Sequence, residues 1–143
     1  MSRETFRVRL YDTVDTAWAT KYPTYPIQWE NHKMNNQPDG PWLDVDIKDT
    51  LDSERTQLGR KYFVRKYGIV DIAVHVVESV GTKELNEMVD FLDQLLSERS
   101  WTLSDGDHVI FKNMVVKHTR LVDGYYYTRV LFDYDRTQCF NRS

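Results

Sequence analysis

The fold is decided by the stretch from Pro26 to Lys48, which reads PIQWENHKMNNQPDGPWLDVDIK. Its second half enters a strand after the turn Pro38-Asp39-Gly40-Pro41, because proline fixes φ and restricts the residue before it. Polar and apolar residues alternate from Trp42 to Lys48, and the apolar positions are Leu43, Val45 and Ile47. This period of two predicts a strand with one buried face.

The first half of the same stretch predicts a short extended piece at Ile27 to Trp29, followed by a polar turn and a loop up to Gly40. Trp29 and Trp42 flank this loop. Two tryptophans around a proline–glycine loop are consistent either with a lid on the core or with a contact patch, since tryptophan has a large apolar ring and one polar N–H group.

Composition limits the class of protein. With 143 residues, the chain predicts a single domain, residues 1–143. A hydrophobic fraction of 41% and a charged fraction of 29% indicate a globular chain. Nine Tyr and four Trp favour interfaces. The formal charge of −3 argues against a dedicated nucleic-acid-binding protein, whose domain would be basic.

The single cysteine, Cys139, cannot form an internal disulfide, so nothing requires an oxidising compartment. No signal-peptide pattern occurs at the N-terminus, and no apolar run approaches the ~18 residues of a membrane span. We therefore expect a soluble protein made in a cytoplasm, with no membrane association.

Helical periodicity is present in two segments. Ser2 to about Tyr22 predicts a first helix with apolar residues at spacings of three and four, and the prolines after it end the helix. Gly81 to Ser100 predicts a second helix, which has the clearer apolar stripe: Leu85, Met88, Val89, Leu92, Leu95 and Leu96.

The remaining strands follow from period-two patterns. Tyr67 to Glu78 predicts a strand with Val70, Ile72, Val74 and Val76 on one face, antiparallel to Trp42–Asp49. His108 to Val122 and Tyr125 to Asp135 predict a hairpin, because an Asp-Gly link between apolar runs is a strong hairpin signal. The tail from Arg136 to Ser143 is expected to be loose. The predicted fold class is α+β, a mostly antiparallel sheet of about four to five strands with two helices packed on one face.

The segment from Thr50 to Arg65 has no period, and we interpret it as a long loop between two strands. It contains a basic run with aromatic residues among the bases. Such a loop is either a solvated surface or a docking loop for an acidic partner or DNA backbone, and exposed aromatic side chains favour contact. The basic residues are Arg55, Arg60, Lys61, Arg65 and Lys66.

Signals for catalysis are weak. The four histidines do not form a close ligand pair, and no phosphate-binding glycine motif or nucleophile motif occurs. Asp44 and Asp46 lie on one strand face and could hold a metal or act as acid and base, but no third ligand is evident. We therefore predict no catalytic residues, no cofactor and no metal site, and we do not expect an enzyme.

The segments Trp29-Glu30-Asn31 and Pro38-Asp39-Gly40-Pro41-Trp42-Leu43, together with the order of elements, resemble one family. They are similar to the tail terminator proteins of long-tailed bacteriophages, of the minor tail protein U type. Members begin with a helix, continue through an extended W-[DE]-N segment and a PDGPW-like turn, and close with a strand–helix–hairpin module. The likeness covers nearly the whole chain. Two departures are the long polar loop from Thr50 to Lys66 and the segment after Val77, which lacks the glycine-rich link common in relatives and keeps only Gly81.

The resemblance implies a structural virion protein without catalysis. Such proteins form a ring, typically of six subunits, that caps the head-proximal end of the tail tube, stops its polymerisation and offers a surface for head–tail joining. The implied partners are other copies of this chain, the tail tube protein and the head–tail connector protein. DNA would pass through the lumen without specific binding, and the ring would assemble in the host cytoplasm.

Within that interpretation, subunit or tube contacts are hypothesised at two places. One is the loop between the tryptophans, with Trp29, Asn31, Pro38, Asp39, Gly40 and Trp42, and the other is the basic run from Arg55 to Lys66. One alternative is a head-completion or tail-completion connector of the neck. A second alternative is a small metal-dependent enzyme that uses Asp44 and Asp46.

Overall fold

A computed structural model describes residues 2–29, 40–77, 82–104, 106–117, 119–122 and 124–141. The two helices are α1 (Ser2–Lys21) and α2 (Thr82–Leu96). The strands, in chain order, are β1 (Ile27–Trp29), β2 (Trp42–Leu58), β3 (Lys61–Val77), β4 (Ser100–Thr102), β5 (His108–Phe111), β6 (Val115–Val116), β7 (Arg120–Val122) and β8 (Tyr125–Asn141).

The strands form one mixed sheet in the order β1-β2-β3-β8-β5-β4, and the short strands β6 and β7 also pair with β8. Only β1 and β2 are parallel among the described pairs, and the other pairs are antiparallel. The predicted α+β class with a mostly antiparallel sheet is therefore confirmed. The predicted number of four to five strands is wrong, because the described residues contain eight.

The helices bury the faces that the sequence indicates. Helix α1 places a residue at every fourth position in the core, namely Phe6, Leu10, Val14 and Trp18. Helix α2 ends at Leu96, earlier than predicted, because Glu98 takes a left-handed conformation (φ 59°) and Ser100 already belongs to β4. Phe91 of α2 contacts Trp18 of α1 with 5.7 Å between ring centroids. Both helices contribute to one core on one face of the sheet.

The register of the three long strands aligns their apolar residues in rows across the sheet. Val45 of β2 pairs with Ile72 of β3, which in turn pairs with Val130 of β8. Val70 pairs with Phe132 in the next row, and all of these side chains are at most 1% exposed. Each row gives the helices an uninterrupted apolar surface, which explains why the period-two pattern is clearest in these segments.

Strands β2, β3 and β8 are each 17 residues long and continue past the helix-covered core. We call this extension the arm and define it as residues 53–58 of β2, 61–66 of β3 and 136–141 of β8. The prediction of a loop from Thr50 to Arg65 is therefore wrong. The prediction of a loose tail from Arg136 to Ser143 is wrong up to Asn141, and residues 142–143 lie outside the described residues. The two segments pair with β3 in the arm, where Ser53 faces Lys66 and Lys61 faces Asn141. At about 3.3 Å per residue, the arm adds roughly 20 Å of ribbon.

A register shift between Asp49 and Ser53 separates the arm from the rest of the sheet. At this root, Asp49, Gly68 and Tyr134 form one row across β2, β3 and β8. The Tyr134 ring crosses Gly68, and its hydroxyl donates a hydrogen bond to Asp49 Oδ1. A Cβ atom on Gly68 would lie 2.3 Å from the Tyr134 ring, so the absent side chain makes room for the crossing.

The predicted strand from His108 to Val122 is interrupted, so this prediction is wrong in its middle. The chain leaves β8 after Phe111, where the amide of Met114 donates to Ser97 Oγ at 2.8 Å instead of to a strand. Met114 packs against the core from this detour. The hairpin at the Asp-Gly link is confirmed, since Val122 pairs with Tyr125.

Candidate functional site

The arm brings together the basic residues that the sequence places in a loop. A two-residue turn at Gly59 and Arg60 joins β2 to β3, and Gly59 adopts the positive φ of 60° that such a turn requires. Arg60 and Lys61 are exposed at this tip. The guanidinium of Arg55 lies over the Tyr62 ring, 4.2 Å from its centroid. The tip of the arm therefore presents cationic groups supported by an aromatic side chain.

The arm carries charge opposite in sign to that of the whole chain. Residues 53–66 contain five basic residues and one acidic residue, Glu54, for a formal charge of +4, whereas the chain has −3. Arg55, Arg60, Lys61 and Arg65 are exposed, and Lys66 is half-buried. Charges concentrated on a projecting ribbon steer an oppositely charged partner toward it.

The arm also presents aromatic area. Tyr62 and Phe63 point to opposite faces of the ribbon, and both are half-buried, although no helix covers this part of the sheet. Exposed cations next to aromatic rings are the composition that protein interfaces favour, since arginine and tyrosine are enriched in them.

The other predicted contact region, around the two tryptophans, is not one surface. Trp29 lies on the helix-covered face, where its ring contacts Tyr11 in a tilted arrangement with 4.2 Å between ring centroids. Trp42 lies on the opposite face and is 8% exposed. Gly40 forms a bend with open space around it. Asn31, Pro38 and Asp39 lie outside the described residues.

The face of the sheet opposite the helices, which we call the polar face, contains an ion-pair network centred on Asp71. Lys48 Nζ lies 3.1 Å from Asp71 Oδ2, and Arg129 contacts both carboxylate oxygens. Burial by itself raises the pKa of Asp71, but the hydrogen bonds and charges of Arg129 and Lys48 outweigh burial and lower the pKa below its usual value. Asp71 is therefore an anion neutralised by two partners.

The carboxylate pair from the sequence lies beside this network. Burial, and then the charges of Asp46 and Asp71, raise the pKa of Asp44, while a hydrogen bond from Gln28 opposes the rise. Three or more metal-ligating side chains do not cluster anywhere in the described part of the chain.

His75 also belongs to the polar face. Its ring stacks between Trp42, at 3.9 Å and an interplanar angle of 4°, and Tyr127, at 5.5 Å. Burial lowers the pKa of His75 to about 4, so the imidazole is neutral at pH 7. Trp42, His75 and Tyr127 therefore form a packed aromatic surface. His75, at its centre, does not gain or lose a proton near neutral pH.

Sequence reasoning missed three features of the structure. The Asp71 network was missed because its members are distant in the chain and a strand aspartate carries no local signal. The arm was missed because neither face of it is apolar, so no period appears. The Gly68–Tyr134 crossing had one available signal, a glycine inside a β-branched run, since such a glycine often marks close approach of another group.

Neither the known family models nor the curated proteins match this chain. Among solved structures, it is similar to a protein whose name carries no functional description, with a TM-score of 0.73 and 18% sequence identity over 95% of this chain and 96% of that chain. At this identity the likeness shows the fold alone. No helix in the described residues has the length and apolar character needed to cross a bilayer.

Proposed function

We propose that this chain is a structural subunit of a bacteriophage tail-terminator-like ring that caps the tail tube and presents a surface for head–tail joining. The observation that carries the proposal is the arm. The ribbon extends about 20 Å past the core, its residues 53–66 have a formal charge of +4, and cations are exposed at its tip. None of its described side chains belongs to the core, so they are suited to contact another molecule.

The distribution of burial supports a structural role. The core draws its apolar residues from both helices and from the non-arm part of the long strands. The arm is held by ladder hydrogen bonds and has no continuous apolar face among its described residues, and an isolated ribbon of this kind is only marginally stable. Docking against a neighbour would cover its side chains, as ring or tube assembly requires.

The order of elements also supports the proposal. Helix α1 is followed by the short strand β1 and then by the entry into β2 at Trp42, as the resemblance to tail terminators implies. Strand β3, helix α2 and the β7–β8 hairpin follow in the order of the closing module. The hexameric ring, the tube protein and the connector protein remain parts of this proposal.

The alternative of a metal-dependent enzyme has less support. Asp71 already has two cationic partners, and the raised pKa of Asp44 makes this carboxylate a poorer anionic ligand. Calorimetric titration with divalent metals tests this alternative directly. Saturable heat that disappears in the double variant Asp44→Asn with Asp46→Asn would support the enzyme and count against a purely structural role.

The proposed function is tested by reversing the charge of the arm. Substituting Arg60, Lys61 and Arg65 together by Glu should leave the chain folded but abolish capping, so that the tail tube protein polymerises to uncontrolled lengths in electron micrographs. The control variant substitutes three exposed basic residues outside both the arm and the helices, Lys112, Lys117 and Arg120, by Glu and should cap normally. Tubes of normal length with the arm variant would overturn the role of the arm.

The neck connector is distinguished from the terminator by its binding partner. A terminator should bind the ends of preformed tail tubes in the absence of heads, and light scattering should report a ring in solution or on tube ends. Binding to DNA-filled heads that lack tails, without binding to tubes, would instead support the connector.

A further inference from the structure

We propose that the arm of one copy docks on the helix layer of a second copy, with its tip in the groove between α1 and α2. This inference rests on the proposed ring and names the contact that closes it. The occupant of the groove is a second copy of this chain, chosen because the arm and the helix layer carry opposite charges and complementary surfaces.

The groove is open and largely apolar. Phe91 and Leu95 of α2 form one wall, and Ala17 and threonines of α1 form the other, together with Arg9, Asp12 and Lys21. The groove has a volume of about 740 Å³. This volume lies within the roughly 300–1,000 Å³ of clefts that bind ligands. Phe63 lies on the same face of β3 as Lys61 and Arg65 and is of a size to fill such a groove, since a buried aromatic removes about 150–250 Å² from water.

Helix α2 supplies the complementary charge. It contains four acidic residues and one basic residue, for a formal charge of −3, against +4 on residues 53–66 of the arm. Glu87, Asp90 and Asp93 are exposed. None of the three takes part in an ion pair between described residues. Glu87 lies close to the groove, because it precedes the groove residue Phe91 by four residues, one turn, on α2.

Helix stability does not explain this pattern. Asp90 and Asp93 lie in the second half of α2, where the negative end of the helix dipole disfavours carboxylates, and the last turn has no basic residue. Cations from a neighbouring arm would offset that repulsion. Lys61 and Arg65, four residues apart on one face of β3, span about 13 Å. Glu87 to Asp93 spans about 9 Å along the axis of α2, so the two charge rows are of similar length.

The arm of a molecule and the start of its own α2 lie at opposite ends of the sheet. The Tyr25 hydroxyl donates to Glu84 at 3.0 Å, beside β1, whose residue Ile27 pairs with Leu43 at the start of β2. The arm tip follows Leu58, roughly 50 Å farther along the strand. A contact between two different surfaces on two copies is heterologous, and repetition of such a contact generates a ring or a filament.

The test is a pair of charge reversals measured by analytical ultracentrifugation at low salt. The arm variant carries Arg60→Glu and Lys61→Glu, and the helix variant carries Glu87→Lys, Asp90→Lys and Asp93→Lys. Each alone should weaken self-association at least about tenfold, because like charges then face each other. An equimolar mixture should regain association, since the acidic arm of one variant meets the basic helix of the other. A mixture that stays as weak as its components would overturn the proposal.

The groove is tested separately from charge. Ala17→Arg places a large cation in the groove and should weaken association, whereas Ala19→Arg, on an exposed part of the same helix, should not. Equal effects of the two variants would overturn docking in the groove. A wild-type chain that remains monomeric at low salt and high concentration would overturn the proposal as a whole.

Failure of this inference and failure of the proposed function give different results. If wild-type rings cap tubes but the equimolar mixture of the arm variant and the helix variant does not associate, the inference fails and the terminator role stands. If the mixture reassembles but no wild-type ring stops tube growth, the arm–helix contact stands and the terminator role fails.

Discussion

The same three strands form two regions of opposite character, which we call the sheet body and the arm. In the sheet body, residues 42–49, 68–77 and 125–135, most helix-side positions are apolar, and Val70 and Phe132 have no exposed surface. In the arm the register between β3 and β8 continues, but Val64 and Phe63 are only half-buried. The ladder hydrogen bonds are common to both regions, so the difference lies in what covers the side chains.

This contrast separates stability from recognition within single strands. Burial of apolar rows under the helices supplies the free energy of folding, since ladder hydrogen bonds largely exchange for bonds to water and contribute little net. The arm is held in register by strands whose other halves are anchored in the core. Its side chains are therefore available for a partner without loss of the fold.

The largest expected effect comes from one substitution made in both regions. Phe132→Ala in the sheet body should lower the free energy of unfolding by about 3–5 kcal/mol, because it leaves a cavity in a fully buried row. Phe63→Ala in the arm should cost under about 1 kcal/mol. Urea unfolding followed by far-UV circular dichroism measures both. Equal losses of unfolding free energy in the two variants would show that the arm is buried against part of its own chain. That result would contradict the difference between the sheet body and the arm.

The boundary between the regions is tested at Gly68. Gly68→Ala should lower the free energy of unfolding by about 1–3 kcal/mol, since the new Cβ would overlap the buried Tyr134 ring. Gly40→Ala is the matched control, because a Cβ there meets open space, and its effect should stay within about 0.5 kcal/mol. A neutral Gly68→Ala would mean that the Tyr134 crossing does not fix the arm root.

The polar face of the sheet body should respond to pH in two opposite ways. The folded-state pKa of Asp71 is lowered, so its contribution to stability is present above its unfolded pKa of about 4 and is lost as the pH falls through the folded value. The folded-state pKa of Asp44 is raised, so its contribution is present below that unfolded pKa and is lost as the pH rises.

Accordingly, Asp71→Asn should destabilise the fold at pH 7 by about 1 kcal/mol, a value discounted because Lys48 and Arg129 are half-exposed. Asp44→Asn should be slightly stabilising at the same pH. Chemical unfolding at pH 7 and pH 3 measures the free energy of unfolding of both variants. The difference in this free energy between the two variants should be smaller at pH 3. A destabilising Asp44→Asn at pH 7 would contradict the assignment.

The smallest expected effect is that of arm charge on stability. Arg60→Glu with Lys61→Glu should change the midpoint of urea unfolding of the monomer by no more than the equivalent of about 0.5 kcal/mol, because both side chains are exposed at the turn. The measurement belongs at high salt, where association is screened. A larger loss would place these cations among the groups that hold the fold.

How much of this fold could be predicted depended on whether a segment has one buried face. Helix α1 and the strand entry at Trp42 were predicted closely, because burial on one side imposes a period on the sequence. The arm was predicted as a loop, since both of its faces are polar and the period disappears even though the strands continue. The predicted cluster of basic residues is present, but it lies on a ribbon of paired strands and not in a loop.

The candidate site was predictable in composition and not in geometry. The residues from Arg55 to Lys66 identify a basic region from local sequence. The groove between α1 and α2 depends on contacts such as Trp18 with Phe91, which are 73 residues apart in the chain. The docking of α2 against α1 is decided by tertiary packing, and no local pattern encodes it.

The pairing of β8 with β3 also determines the order in which the molecule can fold. Strands β2 and β3 meet through the two-residue turn after Leu58, whereas β3 and β8 pair across separations of 48 residues at Val77–Tyr125 and 80 at Lys61–Asn141. Closing such long loops is slow, so we expect the β2–β3 hairpin to be protected first in pulse-labelling hydrogen exchange, and β8 last. Until β8 arrives, the whole edge of β3 is unpaired and open to other chains. Strand β8 completes both the core and the arm. Its pairing with β3 therefore also ends the period in which the β3 edge can pair with another chain.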